Sequence, residues 1–317
     1  MNERRTSCVT AGFRCGIVLT AFVAGLFAWP AGAGTHALDR PGIEVVGEIT
    51  HEFARRSDTL MDIARWLNLG YYDIRRANPQ VDLWLPGEGT RVLIPSRYVL
   101  PDAPREGIVV NLAELRLYHY RNTGDGSTVT TYPVGVGRTG LETPLGRTRV
   151  TARVDNPAWY PPESARADYA SRGIDLPRVI PPGPDNPLGD HAIALALDGY
   201  LIHGTDRPDG VGMRVSRGCI RLYPEDIAEL VGQVAIGTPV HIVDQPVKAG
   251  FDRGQLWLEA HRLADGEAPP AAEVAAVIHQ ASRRGREAAM LVDWRKVAST
   301  RLRADGVPRP IGLVPGS

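Results

Sequence analysis

Hydrophobic and polar positions alternate over short stretches through most of the chain, and this pattern predicts a mainly β fold. The predicted strands lie at 108–112, 115–120, 129–133, 149–154, 193–197, 200–203 and 239–243. The first two flank a short turn at Ala113 and Glu114, which favours a hairpin. The abundant glycine (34) and proline (26) residues suit short strands that are joined by turns.

Helical spacing dominates in two later stretches. Over 224–234, Pro224 suits the first helical position, Glu225 and Asp226 complement the positive end of the helix dipole, and apolar residues recur on one face. Near the C-terminus the pattern predicts a strand at 251–261, a polar break, and then a helix over 273–303. The chain therefore ends in a partly helical extension.

A compact segment at 51–95 has the predicted order strand, helix, helix, strand. The first helix follows Asp58, which we expect to be its N-cap. The second covers 72–77 and ends at Asn78, because the residue before a proline avoids the α region. The proline-containing stretch 97–105 is then a linker to the β-rich part.

The N-terminus has the features of a signal peptide at 1–33. Arg4, Arg5 and Arg14 precede an apolar stretch at 17–29 that is short for a membrane span, and Ala31-Gly32-Ala33 fits a cleavage site. An uncleaved membrane anchor is the alternative interpretation. Both interpretations predict that the rest of the chain is exported.

Charge and cysteine content narrow the possible functions. The chain has 36 basic and 36 acidic residues, so it offers no electrostatic case for nucleic-acid binding. Two of its three cysteines lie in the predicted leader, which leaves Cys219 alone. A single thiol cannot form an intramolecular disulfide, so its reactivity becomes the point of interest.

Cys219 has the surroundings of a nucleophile. It follows Gly218, whose backbone N–H could help to form an oxyanion hole, and Arg217 and Arg221 add positive potential that would favour a thiolate. His203, at the end of a predicted strand, is the candidate base, and the carbonyl of Gly204 could orient its ring. The alternative is a buried, inert cysteine and an unrelated surface histidine.

A metal site is a second alternative. Potential zinc ligands are present at His191, His203, Asp206, Cys219 and His241, which would suit a zinc-dependent hydrolase. None of them shows the close spacing of a zinc motif, so we expect neither a metal ion nor another cofactor.

The segment Ile202-His203-Gly204-Thr205, followed by Gly212 and by Val215-Ser216-Arg217-Gly218-Cys219-Ile220-Arg221-Leu222, resembles the signature of the L,D-transpeptidases (YkuD-like domain). Further resemblance lies at 108–120, 135–137, 143–146, 156–162 and 186–189. It implies a mainly β, sandwich-like catalytic domain at 106–244. It also implies Cys219 as nucleophile and His203 as base, with Gly204 and Gly218 shaping the catalytic site. Substrate binding falls to Trp159, Ser216, Arg217 and Arg221, although many members have histidine where Arg217 stands.

The small segment resembles a LysM domain, a module that binds peptidoglycan glycan, and we take its bounds as 51–96. The resemblance implies that Asp58, Thr59 and Asn78 contact glycan, although the family usually has glycine where Ser57 stands. A small α+β spacer without a ligand is the alternative. Residues 34–50 are then an extended lead-in, and residues 245–317 are a C-terminal extension.

The resemblance implies a periplasmic cysteine acyltransferase. The thiolate would attack a peptidoglycan tetrapeptide stem, release the terminal D-alanine and form a thioester, and carbapenems are expected to acylate the same thiol. An amine of a second stem, a lysine of an outer-membrane lipoprotein, or water would then resolve the thioester. A peptide hydrolase and a non-catalytic wall-binding protein remain the alternatives at this point.

Overall fold

The computed structural model describes residues 34–40, 42–124, 126–284 and 290–313, and it confirms a mainly β chain. The predicted signal peptide at 1–33 lies outside these residues. Within the described ranges, no helix combines the length and the apolar character that a bilayer crossing requires.

The elements are numbered in chain order. The strands are β1 (Gly34–Ala37), β2 (Val45–Gly47), β3 (Thr50–Phe53), β4 (Arg91–Ile94), β5 (Arg97–Val99), β6 (Gly107–Asn111), β7 (Arg116–Thr123), β8 (Gly126–Pro133), β9 (Val136–Gly137), β10 (Gly146–Asp155), β11 (His191–Leu195), β12 (Leu201–His203), β13 (Arg214–Ser216), β14 (Ile220–Arg221), β15 (Pro239–Val243), β16 (Val247–Asp252), β17 (Gln255–Ala260), β18 (Leu291–Val292) and β19 (Arg309–Leu313). The helices are α1 (Leu60–Trp66), α2 (Tyr71–Ala77), α3 (Glu163–Ala170), α4 (Pro224–Gln233), α5 (Ala271–Arg284) and α6 (Trp294–Arg303), with a 3₁₀ turn at Pro208–Gly210.

A nine-stranded sheet forms the framework, in the order β1-β8-β7-β6-β15-β10-β11-β12-β14. The predicted hairpin is present as β6 and β7, which pair antiparallel. Buried side chains such as Ile108, Leu117 and Ile193 fill the core beneath this sheet, and the apolar face of α4 packs into it through Ile227 and Leu230. The segment expected as an extended lead-in contributes β1, which pairs with β8 at the sheet edge.

The small segment has the predicted order, as β3, α1, α2 and β4, with its own apolar core. The prediction that Asp58 caps the first helix is wrong, because Thr59 is the N-cap and forms a capping box with Asp62. The Asp58 carboxylate instead accepts the backbone N–H of Arg55 at 2.8 Å.

This small segment, β3-α1-α2-β4, packs closely against the nine-stranded sheet and its helix α4. A Cβ atom added to Gly70 would lie 2.6 Å from the Cα of Gly212, so the two backbone segments approach as closely as glycine allows. Asn68 donates to the buried Asp226 at 2.7 Å, and the hydroxyl of Tyr223 donates to a backbone carbonyl of the α1–α2 loop at 3.0 Å.

The C-terminal extension differs from the prediction in two places. The single strand expected at 251–261 is a hairpin, β16 and β17, that turns at Arg253, whose φ is +48°. The single helix expected at 273–303 is two helices, α5 and α6, with β18 between them. Asp293 starts the second helix by accepting the backbone N–H groups of Arg295 and Lys296.

A buried charge cluster joins the extension to the large sheet. Lys248 of β16 lies 2.7 Å from the Glu114 carboxylate and 2.9 Å from that of Glu259. His261 contacts Glu259 at 2.6 Å, and Tyr118 donates to Glu114. Every charged member of this Lys248 cluster has a partner of opposite charge, which buried ions require.

Candidate active site

Strand register brings Cys219 and His203 to one face of the sheet. β12 and β14 pair in parallel, with Ile202 opposite Ile220 and His203 opposite Arg221. Ile202 and Ile220 point into the core, where both are buried. Because successive side chains in a strand point to opposite faces, His203, Arg221 and the preceding Cys219 project from the other face. Residues far apart in the sequence therefore meet at the sheet edge.

These side chains line a cavity of ≈ 210 Å³. The cavity wall includes all four predicted substrate-binding residues as well as the predicted nucleophile and base, namely Trp159, Ser216, Arg217 and Arg221 together with Cys219 and His203. The structure thus gathers the residues that the sequence motif singled out. Gly204 and Gly218, the chain neighbours of His203 and Cys219, are outside this set of lining residues.

His203 is buried and uncharged. Burial, with a smaller contribution from the charge of Arg221, lowers the pKa of His203 to about 4, although hydrogen bonds to the backbone of Gly204 and Leu188 act in the opposite direction. Its Nδ1 lies 2.6 Å from the Gly204 carbonyl oxygen. A carbonyl can only accept a hydrogen bond, so Nδ1 carries the hydrogen and Nε2 keeps its lone pair. The ring is therefore fixed in the tautomer of a base.

The Cys219 thiol is also uncharged in the resting site. Burial raises its pKa above the ordinary value, although a hydrogen bond with the Leu201 backbone and the charge of Arg221 both lower it. The sulfur lies 3.7 Å from the Gly199 carbonyl. The charge of Arg221 thus acts in the expected direction, toward the thiolate, but burial outweighs it.

The loop before Cys219 is held rigidly by two hydroxyl groups. Ser216 Oγ donates to the Cys219 carbonyl at 2.5 Å and accepts the Gly218 N–H at 3.1 Å, while Thr143 donates to the Gly218 carbonyl at 2.8 Å. Gly218 has φ +105°, and a Cβ there would lie 2.7 Å from a ring atom of Tyr200. Glycine is required at 218, but its N–H is already engaged by Ser216.

Sequence reasoning missed the helix that flanks the cavity. Asp168 of α3 lies 3.0 Å from Arg217 and 3.4 Å from both Arg138 and Arg172, and all four residues line the cavity. No motif marked this helix. A proline followed by the acidic Glu163 was the one signal that could have placed its start.

The predicted glycan contacts have different positions in the small segment. Thr59 and Asp58 lie at the start of α1, where both side chains hold backbone N–H groups. Asn78 is buried, and its amide accepts from and donates to the backbone of Leu93 at 2.7 and 2.9 Å. The structure thus gives Asn78 a structural role, and glycan contact by these residues stays a prediction.

The five candidate zinc ligands do not converge. In the described part of the chain, the group of potential ligands close enough to share an ion is Glu114, Glu259 and His261, which contains none of the five. The Lys248 ammonium already lies within 3 Å of both carboxylates there, at 2.7 and 2.9 Å. This group therefore belongs to the buried charge cluster.

Comparison with known proteins agrees with the site. The sequence profile of the YkuD family, the L,D-transpeptidase catalytic domain, matches residues 105–242. The probable L,D-transpeptidase YcfS of Escherichia coli is 45% identical over 241 residues, which is 74% of this chain and 75% of YcfS. The chain belongs to the L,D-transpeptidase family. A second relative, the probable L,D-transpeptidase ErfK/SrfK of E. coli, is 42% identical over 72% of this chain and 74% of its own length.

Among solved structures, the catalytic domain of the Enterococcus faecium L,D-transpeptidase resembles 45% of this chain and 99% of its own, with 22% identity and a TM-score of 0.34. With relatives of 39–45% identity that bear this name, the chain is an L,D-transpeptidase, an enzyme class that acts on the peptide stems of peptidoglycan.

Proposed function

We propose that this L,D-transpeptidase acts in the periplasm through a thioester on Cys219. The observation that carries the proposal is the common cavity of Cys219 and His203, with the imidazole fixed by the Gly204 carbonyl so that Nε2 is free to accept a proton. This is the arrangement that activates a thiol without a resting thiolate.

The first half-reaction begins with a neutral pair. His203 takes the thiol proton as the sulfur attacks the carbonyl carbon between the third residue of the tetrapeptide stem and its terminal D-alanine. The C–N bond breaks, the imidazolium returns the proton to the leaving amine, and D-alanine departs. Since burial raises the pKa of Cys219 and lowers the pKa of His203, proton transfer accompanies attack rather than preceding it.

The developing oxyanion needs donors beside Cys219. Its own backbone N–H is the nearest candidate, since no acceptor for it is found among the residues described here. The Gly218 N–H donates to Ser216 Oγ, so Gly218 serves the site by its conformation and Ser216 by fixing the loop.

Arg217 is the proposed recognition group for a carboxylate of the stem. Its guanidinium faces the cavity and is held by Asp168, which also contacts Arg138 and Arg172. Three cations share one carboxylate, so the cluster keeps capacity for a second anion. Trp159 offers an apolar wall to the same ligand.

The segment 51–96 is proposed to bind glycan as a LysM-like domain. Its strand-helix-helix-strand order supports this, and so does Trp84, which is 60% exposed in the loop between α2 and β4. The backbone N–H of Leu60 donates a hydrogen bond to the Leu83 carbonyl, which brings this loop against the start of α1. Asp58 and Thr59 lie there. Aromatic rings on such a surface can stack on sugar rings.

A sacculus pull-down with the full chain tests the glycan proposal. Trp84→Ala should weaken binding, whereas Phe53→Ala, a control on the exposed side of β3, should not. Equal binding by both variants and the wild type would assign the segment a spacer role.

Muropeptide turnover tests the catalytic proposal. Wild-type protein should convert tetrapeptide stems to amine-linked products when an amine acceptor is present, and Cys219→Ala should give none. Products from a second stem, from a lysine-containing peptide and from water are distinguished by mass. Activity that survives in Cys219→Ala, or that a chelator abolishes, would contradict the thiol mechanism.

A further inference from the structure

A second cleft, of ≈ 470 Å³, lies where three parts of the chain meet. The small segment contributes Tyr72 and Arg76, and the C-terminal extension contributes Arg262 through Gly266. The two-stranded β9–β13 sheet contributes Arg214 on β13 and Arg138 just after β9. Four guanidinium groups thus line one cleft, together with the single carboxylate of Asp265.

The guanidinium groups of Arg76, Arg214 and Arg262 are not neutralised by acids. Arg76 lies over the Tyr72 ring at 4.2 Å, and the other two donate to backbone carbonyls at 2.9 Å. Across the described ranges, none of the three forms an ion pair with a carboxylate. All three are half-buried.

These cations are also close enough to repel one another. Burial lowers the pKa of Arg76, and the charges of Arg262 and Arg214 lower it further, against the opposing effects of Tyr72 and Asp73. Half-buried like charges without counter-ions are costly to hold together. A bound anion would relieve that cost, and three separate parts of the chain supply the groups that would hold it.

The cleft borders the active site through Arg138. This residue lines both the cavity of Cys219 and the arginine cleft. Its backbone N–H donates to the Ser216 carbonyl at 3.0 Å, beside the catalytic loop. An anion in the cleft therefore lies next to the site where the thioester forms, on the other side of Arg138.

We propose that the arginine cleft binds a carboxylate of the acyl acceptor. This inference rests on the proposed thioester mechanism. The acceptor amine attacks the thioester carbonyl, the C–S bond breaks, an amide forms, and His203 carries a proton from the amine nitrogen to the Cys219 sulfur. A carboxylate near the amine would hold it in place for that attack. A centre of a second stem that bears both an amine and a carboxylate offers this chemistry, and so does a C-terminal lysine.

Matched acceptors test the proposal on the full chain. The acyl-enzyme is formed from a tetrapeptide stem, and its transfer is measured to a tripeptide stem against its fully amidated form, and to Nα-acetyl-lysine against Nα-acetyl-lysinamide. We expect a KM about tenfold lower for the acid than for the amide in at least one pair, as a charge-assisted hydrogen bond provides. The pair that shows the preference identifies the source of the carboxylate.

Variants tie the preference to the cleft. Arg76→Gln/Arg262→Gln should bring the ratio of the KM values for the acid and amide acceptors close to one. The rate of thioester formation should not change, and this rate also reports correct folding. Arg76→Lys/Arg262→Lys should keep part of the preference, and the exposed pair Arg295→Gln/Arg303→Gln should keep all of it.

Three results would overturn the inference. Equal KM values for acid and amide in both pairs would show that no carboxylate is recognised. A preference that survives in Arg76→Gln/Arg262→Gln would place recognition elsewhere. Failure of the wild type to form any thioester would overturn the proposed mechanism first, and this inference with it.

Discussion

Two buried histidines show how this chain separates chemistry from structure. His261 lies within the Lys248 cluster and contacts the Glu259 carboxylate at 2.6 Å, so a buried charge there always has a partner. Among the ion pairs of the described residues none includes His203, and a backbone carbonyl orients its ring instead. The first histidine lies among buried ion pairs, and the second is held by a neutral hydrogen-bond partner. A histidine fixed by a neutral partner stays uncharged and ready to accept a proton.

Removing the base should have the largest effect on activity. We expect His203→Ala to lower kcat by about 10²–10⁴-fold while leaving the melting temperature close to that of the wild type. The matched control is His261→Ala. It should lower the melting temperature, whereas kcat of the folded fraction should stay close to that of the wild type. Single-turnover kinetics and thermal unfolding measured on both variants decide whether the two histidines differ in this way.

Breaking the Lys248 cluster should have the largest effect on stability. Lys248→Met leaves Glu114 and Glu259 buried together without their shared cation, and removing one partner of a buried ion pair costs about 3–5 kcal/mol. Burial favours a raised pKa for Glu114, yet Lys248 and His261 hold it below the ordinary value. The variant would lose the contribution of Lys248 to this lowering. Chemical unfolding should show the loss, and the exposed Lys296→Met should not.

Arg217→Gln should have an intermediate effect, on binding rather than on the chemical step. We expect KM for the tetrapeptide stem to rise about tenfold, since a charge-assisted bond to a substrate carboxylate is lost. A stem whose carboxylates are amidated should show no difference between the variant and the wild type. A large fall in kcat instead would place Arg217 in the chemical step.

The smallest expected effect concerns the contact between the small segment and α4. Burial raises the pKa of Asp226 from 3.8 to about 8, with Glu225 adding to the increase. The folded chain therefore keeps this proton between pH 4 and 8 while the unfolded chain loses it, so stability from this group falls as pH rises through that window. Asp226→Asn should reduce the fall in melting temperature between pH 5 and pH 8. An unchanged dependence of the melting temperature on pH would contradict this prediction.

The sequence predicted the parts of the molecule that local rules determine. Strand alternation predicted the hairpin of β6 and β7, and the helical pattern that begins at Pro224 predicted α4 to within one residue. The resemblance around Cys219 predicted that the nucleophile and the base share one site, and the parallel pairing of β12 with β14 places both side chains on one face of the sheet.

Features that depend on distant contacts were not predictable in this way. Asp168 looks like an ordinary charged residue on a short helix until folding places it 3.0 Å from Arg217. Lys248 and Glu114 look like surface residues, yet both are buried where β16, which carries Lys248, meets the β6–β7 turn, which carries Glu114. The break between α5 and α6 follows from a cap at Asp293 and from pairing of β18 with β19, which composition alone did not show.

The most direct test of the account is the covalent intermediate itself. Wild-type protein mixed with a tetrapeptide stem and quenched in acid should gain the mass of the stem without its terminal D-alanine, and peptide mapping should place that mass on Cys219. Cys219→Ala should gain nothing under the same conditions. An equal mass gain on both proteins, or an adduct on another residue, would contradict the assignment of Cys219 as the nucleophile.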